Sequence, residues 1–67
     1  MKTGKITARK DGIVRRATVR AIDSFELTIK AIEKIMKNSR ADDVWAKGLI
    51  ILKDENGKVL HTMAEKV

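Results

Sequence analysis

The side chains in this chain that have chemistry to offer are cations, and they crowd one end of it. Lys2, Lys5, Arg9, Lys10, Arg15, Arg16 and Arg20 stand in the first twenty residues against a single acid, Asp11. From Ala21 onward, eight basic residues meet eight acidic ones, so the net charge of +6 is N-terminal. Arginine suits anion recognition because its planar fork donates two hydrogen bonds to one phosphate or guanine edge. Charge confined to one element is a surface with a direction, and it implies a polyanionic partner. The candidate nucleic-acid-binding residues are Lys5, Arg9, Lys10, Arg15, Arg16 and Arg20, with Thr7 and Thr18 as hydroxyl donors. Phe25 and Trp45 are the only aromatics, and neither lies among these cations. Binders of single strands interleave aromatics with basic residues. The expectation is therefore a grip on the phosphate backbone, principally of double-stranded DNA.

Catalysis and metal binding lack the residues they need. There is no Cys, and His61 is the one His. Ser24 and Ser39 fall at expected helix boundaries, where Ser caps or ends helices. Asp42-Asp43 and Asp54-Glu55 lie in expected loops without calcium-loop spacing. Gly4, Gly12, Gly48 and Gly57 are scattered and form no phosphate-cradling loop. The expectation is a protein that is no enzyme and carries no metal or cofactor.

The elements that must position the cations can be read from turns and periodicity. Asp11-Gly12 is a two-residue hairpin signal, because a type I′ turn needs positive φ at both central positions. It pairs Lys10 with Ile13, Ala8 with Arg15 and Ile6 with Ala17. One face of the hairpin, residues 5–21, then carries Ile6, Ala8, Ile13, Ala17, Val19 and Ala21, with Arg15 as the exception. The other carries Lys5, Thr7, Arg9, Val14, Arg16, Thr18 and Arg20. A helix over residues 23–39 follows, capped by Asp23 with Glu26 three residues on. Phe25, Ile29, Ile32 and Ile35 or Met36 recur at helical spacing, widened by Leu27 and Ala31. A second hairpin spans residues 45–65, with Trp45 to Lys53 and Lys58 to Glu65 around Asp54-Glu55-Asn56-Gly57. The strand opened by Trp45 is apolar on both faces, which marks a central position.

The fold expected is a small α+β domain of order ββαββ, with one helix on an antiparallel four-stranded sheet. A chain of 67 residues buries little surface, and without disulfides or metal it is expected to pair as a homodimer. The longest aliphatic run, Leu49 to Leu52, is far short of a membrane span. Absence of Cys fits the cytoplasm, and no membrane partner is expected.

Two other functions are open. One is a protein-interaction module, an inhibitor or adaptor docking on an acidic partner. The other comes from a resemblance. Ser24-Phe25-Glu26 followed by Val44-Trp45 resembles dodecins, small flavin-storage oligomers in which a Trp after the helix stacks on the flavin. The resemblance covers residues 24 to 46 and implies Trp45 as a platform for a flat ligand or partner; the N-terminal hairpin has no counterpart there.

Overall fold

The computed structural model describes residues 1–63. Glu65, the expected end of the last strand, lies outside the described residues. Four strands and two helices follow in the order β1 (Lys2–Lys10), β2 (Ile13–Ala21), α1 (Ser24–Ser39), α2 (Asp43–Lys47), β3 (Leu49–Asp54) and β4 (Val59–Met63). The strands form one antiparallel sheet in the order β2-β1-β3-β4. This is the small α+β fold expected, with one main helix, and the sheet order joins the two hairpins through β1 and β3.

The first hairpin is built by its turn. Asp11 has φ 52° and Gly12 φ 80°, the two left-handed positions of a type I′ turn. Lys10 pairs with Ile13, Ala8 with Arg15 and Ile6 with Ala17, as that turn dictates. Even-numbered residues of β1 therefore face one side, and Gly4, Ile6 and Ala8 are buried there. The second hairpin closes with a three-residue loop ending at Gly57, φ 86°. Asp54 Oδ1 accepts from the backbone N–H groups of Asn56 and Lys58 at 2.9 Å, which fixes the loop.

Helix α1 begins where its cap puts it: Asp23 Oδ1 accepts from the Glu26 N–H at 2.8 Å, satisfying one of the orphan donors of the first turn. Its buried stripe is Leu27, Ala31 and Ile35. Small residues beneath it let the helix approach closely. A Cβ added at Gly4 would stand 3.0 Å from both Leu27 Cγ and Leu52 Cδ1. Ile6, Ala8, Ala31, Ile35, Val44, Trp45, Ile50 and Leu52 make up the contiguous core.

Two expectations are corrected. The second hairpin does not begin at Trp45. Asp42 caps a single helical turn, α2, by accepting from the Val44 N–H at 2.9 Å, and the strand starts at Leu49. The cap outweighs the strand propensity of Val44-Trp45. The apolar stripe of α1 is also rotated. Phe25 is 77% exposed and Met36 63%, because Leu27, Ala31 and Ile35 take the sheet instead.

Gly48 joins α2 to β3 at a point where no side chain fits. A Cβ there would overlap the carbonyl oxygens of Val44 and Arg9, since the chain turns against β1 just before Leu49 pairs with Arg9. Gly48→Ala is therefore expected to lower stability by about 3 kcal/mol, the upper end for overpacking. Gly12→Ala, which strains only a turn, is expected to cost about 1 kcal/mol. Urea unfolding followed by circular dichroism measures both.

Candidate nucleic-acid interface

Odd-numbered residues of β1 point away from α1, and the register assembles a surface from them. Rows across the sheet read Thr18–Lys5–Lys53, Arg16–Thr7–Ile51 and Val14–Arg9–Leu49, with Arg20 opposite Thr3 at one end. Val59 and Thr62 continue the first two rows on β4. Lys5, Arg9, Arg16, Arg20 and Lys53 are all exposed. None of the acidic residues among those described belongs to these rows. Lys5 and Lys53 are direct cross-strand partners, an arrangement of like charges that destabilises a sheet.

Four of the six cations singled out from sequence, Lys5, Arg9, Arg16 and Arg20, are thus brought together. The other two are not. Lys10 lies at the hairpin's end with its Nζ 2.8 Å from Asp11 Oδ2; that hydrogen bond, and then the lysine's charge, hold the Asp11 carboxyl below its usual value. Arg15 stands opposite Ala8 on the α1 side, where its Nε donates to Asp42 Oδ2 at 2.9 Å. Arg15 therefore ties β2 to the cap of α2.

Lys53 is the face member that sequence reasoning missed. It continues the alternation of Leu49 and Ile51, but its side of the sheet depends on which strand pairs with β1. Lys34 and Lys37 were missed as well. They line, with Arg15, Arg16, Thr18 and Asp42, an open groove of about 610 Å³ between β2 and α1. Strand β2 is an edge strand, and Arg16 and Thr18 border both surfaces, so positive charge wraps from the sheet face around this edge. On the sheet face itself Thr7, Arg9, Leu49, Ile51 and Lys53 frame a depression of about 190 Å³.

Trp45 is 5% exposed and belongs to the core, not to the cationic face. His61 is exposed on β4. Comparisons of the chain with protein-family models, with curated proteins and with solved structures find no match.

Asp42 carries the acid sensitivity of this region. The hydrogen bond from Arg15 and then that from the Val44 N–H lower its pKa, partly opposed by desolvation, and the arginine's charge adds a lesser lowering. A carboxyl with a depressed pKa contributes stability above its unfolded value, about 4, and loses it as pH falls through the folded value. Acidifying the wild type should therefore lower its melting temperature faster than that of Asp42→Asn. The two proteins should differ most near neutrality and converge at low pH. Thermal melts across that range check this, and a gap independent of pH would reject it.

Proposed function

We propose that this protein binds nucleic acid by laying the sheet face of Lys5, Arg9, Arg16, Arg20 and Lys53 on the phosphate backbone of a duplex. The observation that carries the reading is the directly opposed Lys5–Lys53 pair within a row structure without carboxylates. A sheet that sets like charges against each other gives up stability, and an external polyanion recovers it. The threonines interleaved with the cations, Thr3, Thr7 and Thr18, supply hydroxyls for the same phosphates.

The sheet order favours one mode. A free two-stranded ribbon fits a major groove about 12 Å wide. Here β1 is flanked on both sides, and four strands at about 4.8 Å spacing span roughly 14 Å before side chains are added. The face is too broad to enter the groove, so it bridges groove edges and grips backbone. Arg16 and the Lys34–Lys37 edge extend that grip to a neighbouring phosphate run.

A second reading has its own observation. Val14, Leu49 and Ile51 lie among the cations, with Leu49 43% exposed. An acidic protein partner would use them as an apolar centre inside a charged rim.

Fluorescence anisotropy of a labelled duplex across salt separates the two. If about five phosphates are neutralised, the log–log salt slope is roughly −4 to −5. Arg9→Ala with Arg16→Ala should flatten the slope by about 2. Arg15→Ala, whose side chain is committed to Asp42, and Lys30→Ala, on α1, should change it little. Absence of binding at low salt would remove the nucleic-acid reading. Capture of an acidic protein that is lost in Leu49→Glu, by a chain that binds no duplex, would install the second.

A further inference from the structure

Helix α1 has two apolar faces, and the sheet uses one. Leu27, Ala31 and Ile35 are buried. Phe25, Ile29, Ile32 and Met36 form the other stripe, spaced by four, three and four. That is the alternation by which a helix keeps one seam toward a partner helix. Phe25 is 77% exposed, Met36 63% and Ile29 42%, and Ile22, just ahead of the cap, is 74% exposed. Ile32 is half-buried. We propose that this seam is a homodimer interface in which the α1 helices of two copies pack antiparallel.

Three observations point to a second copy. The first is spacing: the surface calls for a helix with an alternating four–three stripe, and the chain carries one. The second is charge. Glu26, Lys30, Glu33 and Lys37 border the stripe on one side with balanced charge, and Glu26 Oε1 lies 3.5 Å from Lys30 Nζ. In a chain of net charge +6, the basic sheet face repels its own kind, whereas this surface meets it without repulsion. The third is area and shape. The four exposed apolar side chains leave on the order of 500 Å² in water, as much as the largest patch a typical monomer carries. With the bordering stems this approaches the roughly 800 Å² per partner of a standard interface.

A two-fold axis across the seam makes the contact self-complementary. Antiparallel packing brings the Phe25 end of one helix to the Met36 end of the other. Beside Met36 an apolar groove of about 220 Å³ is lined by Ile35, Trp45, Ile50 and Met63 among others. The Phe25 ring of each copy is the knob for that groove in the other.

One consequence deepens the function and rests on the nucleic-acid reading. The layers run sheet face, sheet, α1, seam. Joining two copies at the seam leaves their basic faces on opposite outer sides, so a dimer holds two duplex segments at once.

Light scattering and sedimentation of the full chain test the interface without nucleic acid. The wild type should have twice the 7.5 kDa chain mass at micromolar concentration. Phe25→Glu should raise the dissociation constant at least about tenfold, as loss of a pocket-filling aromatic anchor does. Its circular dichroism should be unchanged, because the ring is exposed within one copy. Val59→Glu, an exposed apolar site on β4, should leave the dimer intact. Mixed under oxidation, Phe25→Cys and Met36→Cys should form the cross-linked pair in preference to either self-pair. A monomeric wild type, a Phe25→Glu protein that still dimerises, or a dominant Phe25→Cys self-pair overturns the proposal. Retention of a free duplex by a bead-bound one then tests bridging: Phe25→Glu should still bind the bead but retain no second duplex. A dimer through α1 that binds no duplex at all leaves the interface standing and removes the nucleic-acid reading instead.

Discussion

Strand β1 is paired on both sides, to β2 through the Asp11-Gly12 turn and to β3 through Gly4–Arg9, and the other elements are placed by that. Its even-numbered residues, Gly4, Ile6 and Ala8, are buried under α1 and α2. Gly4, with no side chain, sets how closely Leu27 approaches the sheet. Its odd-numbered residues, Lys5, Thr7 and Arg9, are forced to the opposite face by the same alternation. A one-residue slip in the Asp11-Gly12 turn would exchange the two sets and bury Lys5 and Arg9. The hydrophobic effect at Ile6 and Ala8 thus enforces the orientation of the cations without any contact among the cations themselves.

The two arginines next to each other on β2 show how fully the register decides chemistry. Arg15 and Arg16 are the same residue type one position apart. Arg16 falls on the open face between Thr7 and solvent. Arg15 falls on the α1 side, and Asp42 meets it there. Asp42 holds the Val44 N–H and the Arg15 guanidinium at once, so the start of α2 and the edge strand are tied by one carboxylate. Through α2 that tie reaches Trp45 and the core. Arg15 is accordingly a structural cation, and its neighbour is the one with a free fork.

Much of this was legible from local signals. The Asp-Gly turn fixes the register of the first hairpin. The Asp23 cap and its apolar period announce α1, and the Asn-Gly loop announces the second hairpin. What escaped depends on contacts distant in sequence. Trp45 reads as a strand residue because Val44, Trp45 and the run Leu49 to Leu52 look continuous. Only the capping role of Asp42 and the tight passage of Gly48 against the Arg9 carbonyl break them apart. Lys53 was missed because its membership in the cationic face requires β3 to pair with β1, and no local pattern specifies that. The apolar period of α1 centres on Phe25, Ile29 and Ile32, with the buried Leu27 and Ala31 at its margin, since Phe25 and Ile29 are larger and more apolar than Ala31. The sheet, lined by Gly4, Ala8, Ala17 and Ala21, selects by fit and not by hydrophobicity alone.

That mismatch gives α1 its place in the reading of the whole molecule. A helix that only covers a sheet needs one apolar face, and a solvent-facing side of Glu and Lys suffices for the rest. Leu27, Ala31 and Ile35 already satisfy the sheet, and Phe25, Ile29 and Met36 stand outside the buried core of a single copy. Large side chains left in water lower solubility and gain no burial. Their arrangement on one stripe, bordered by charges of both signs, is unlike the scatter of isolated exposed apolar residues that protein surfaces ordinarily carry. The sheet face is the reverse case: like charges held together against their own repulsion. Each surface is unfavourable alone, and the partners proposed for them, a polyanion for the sheet and a second α1 for the helix, are the ones whose chemistry would offset that cost. Because the two lie on opposite sides of one thin layer of core, satisfying either leaves the other open.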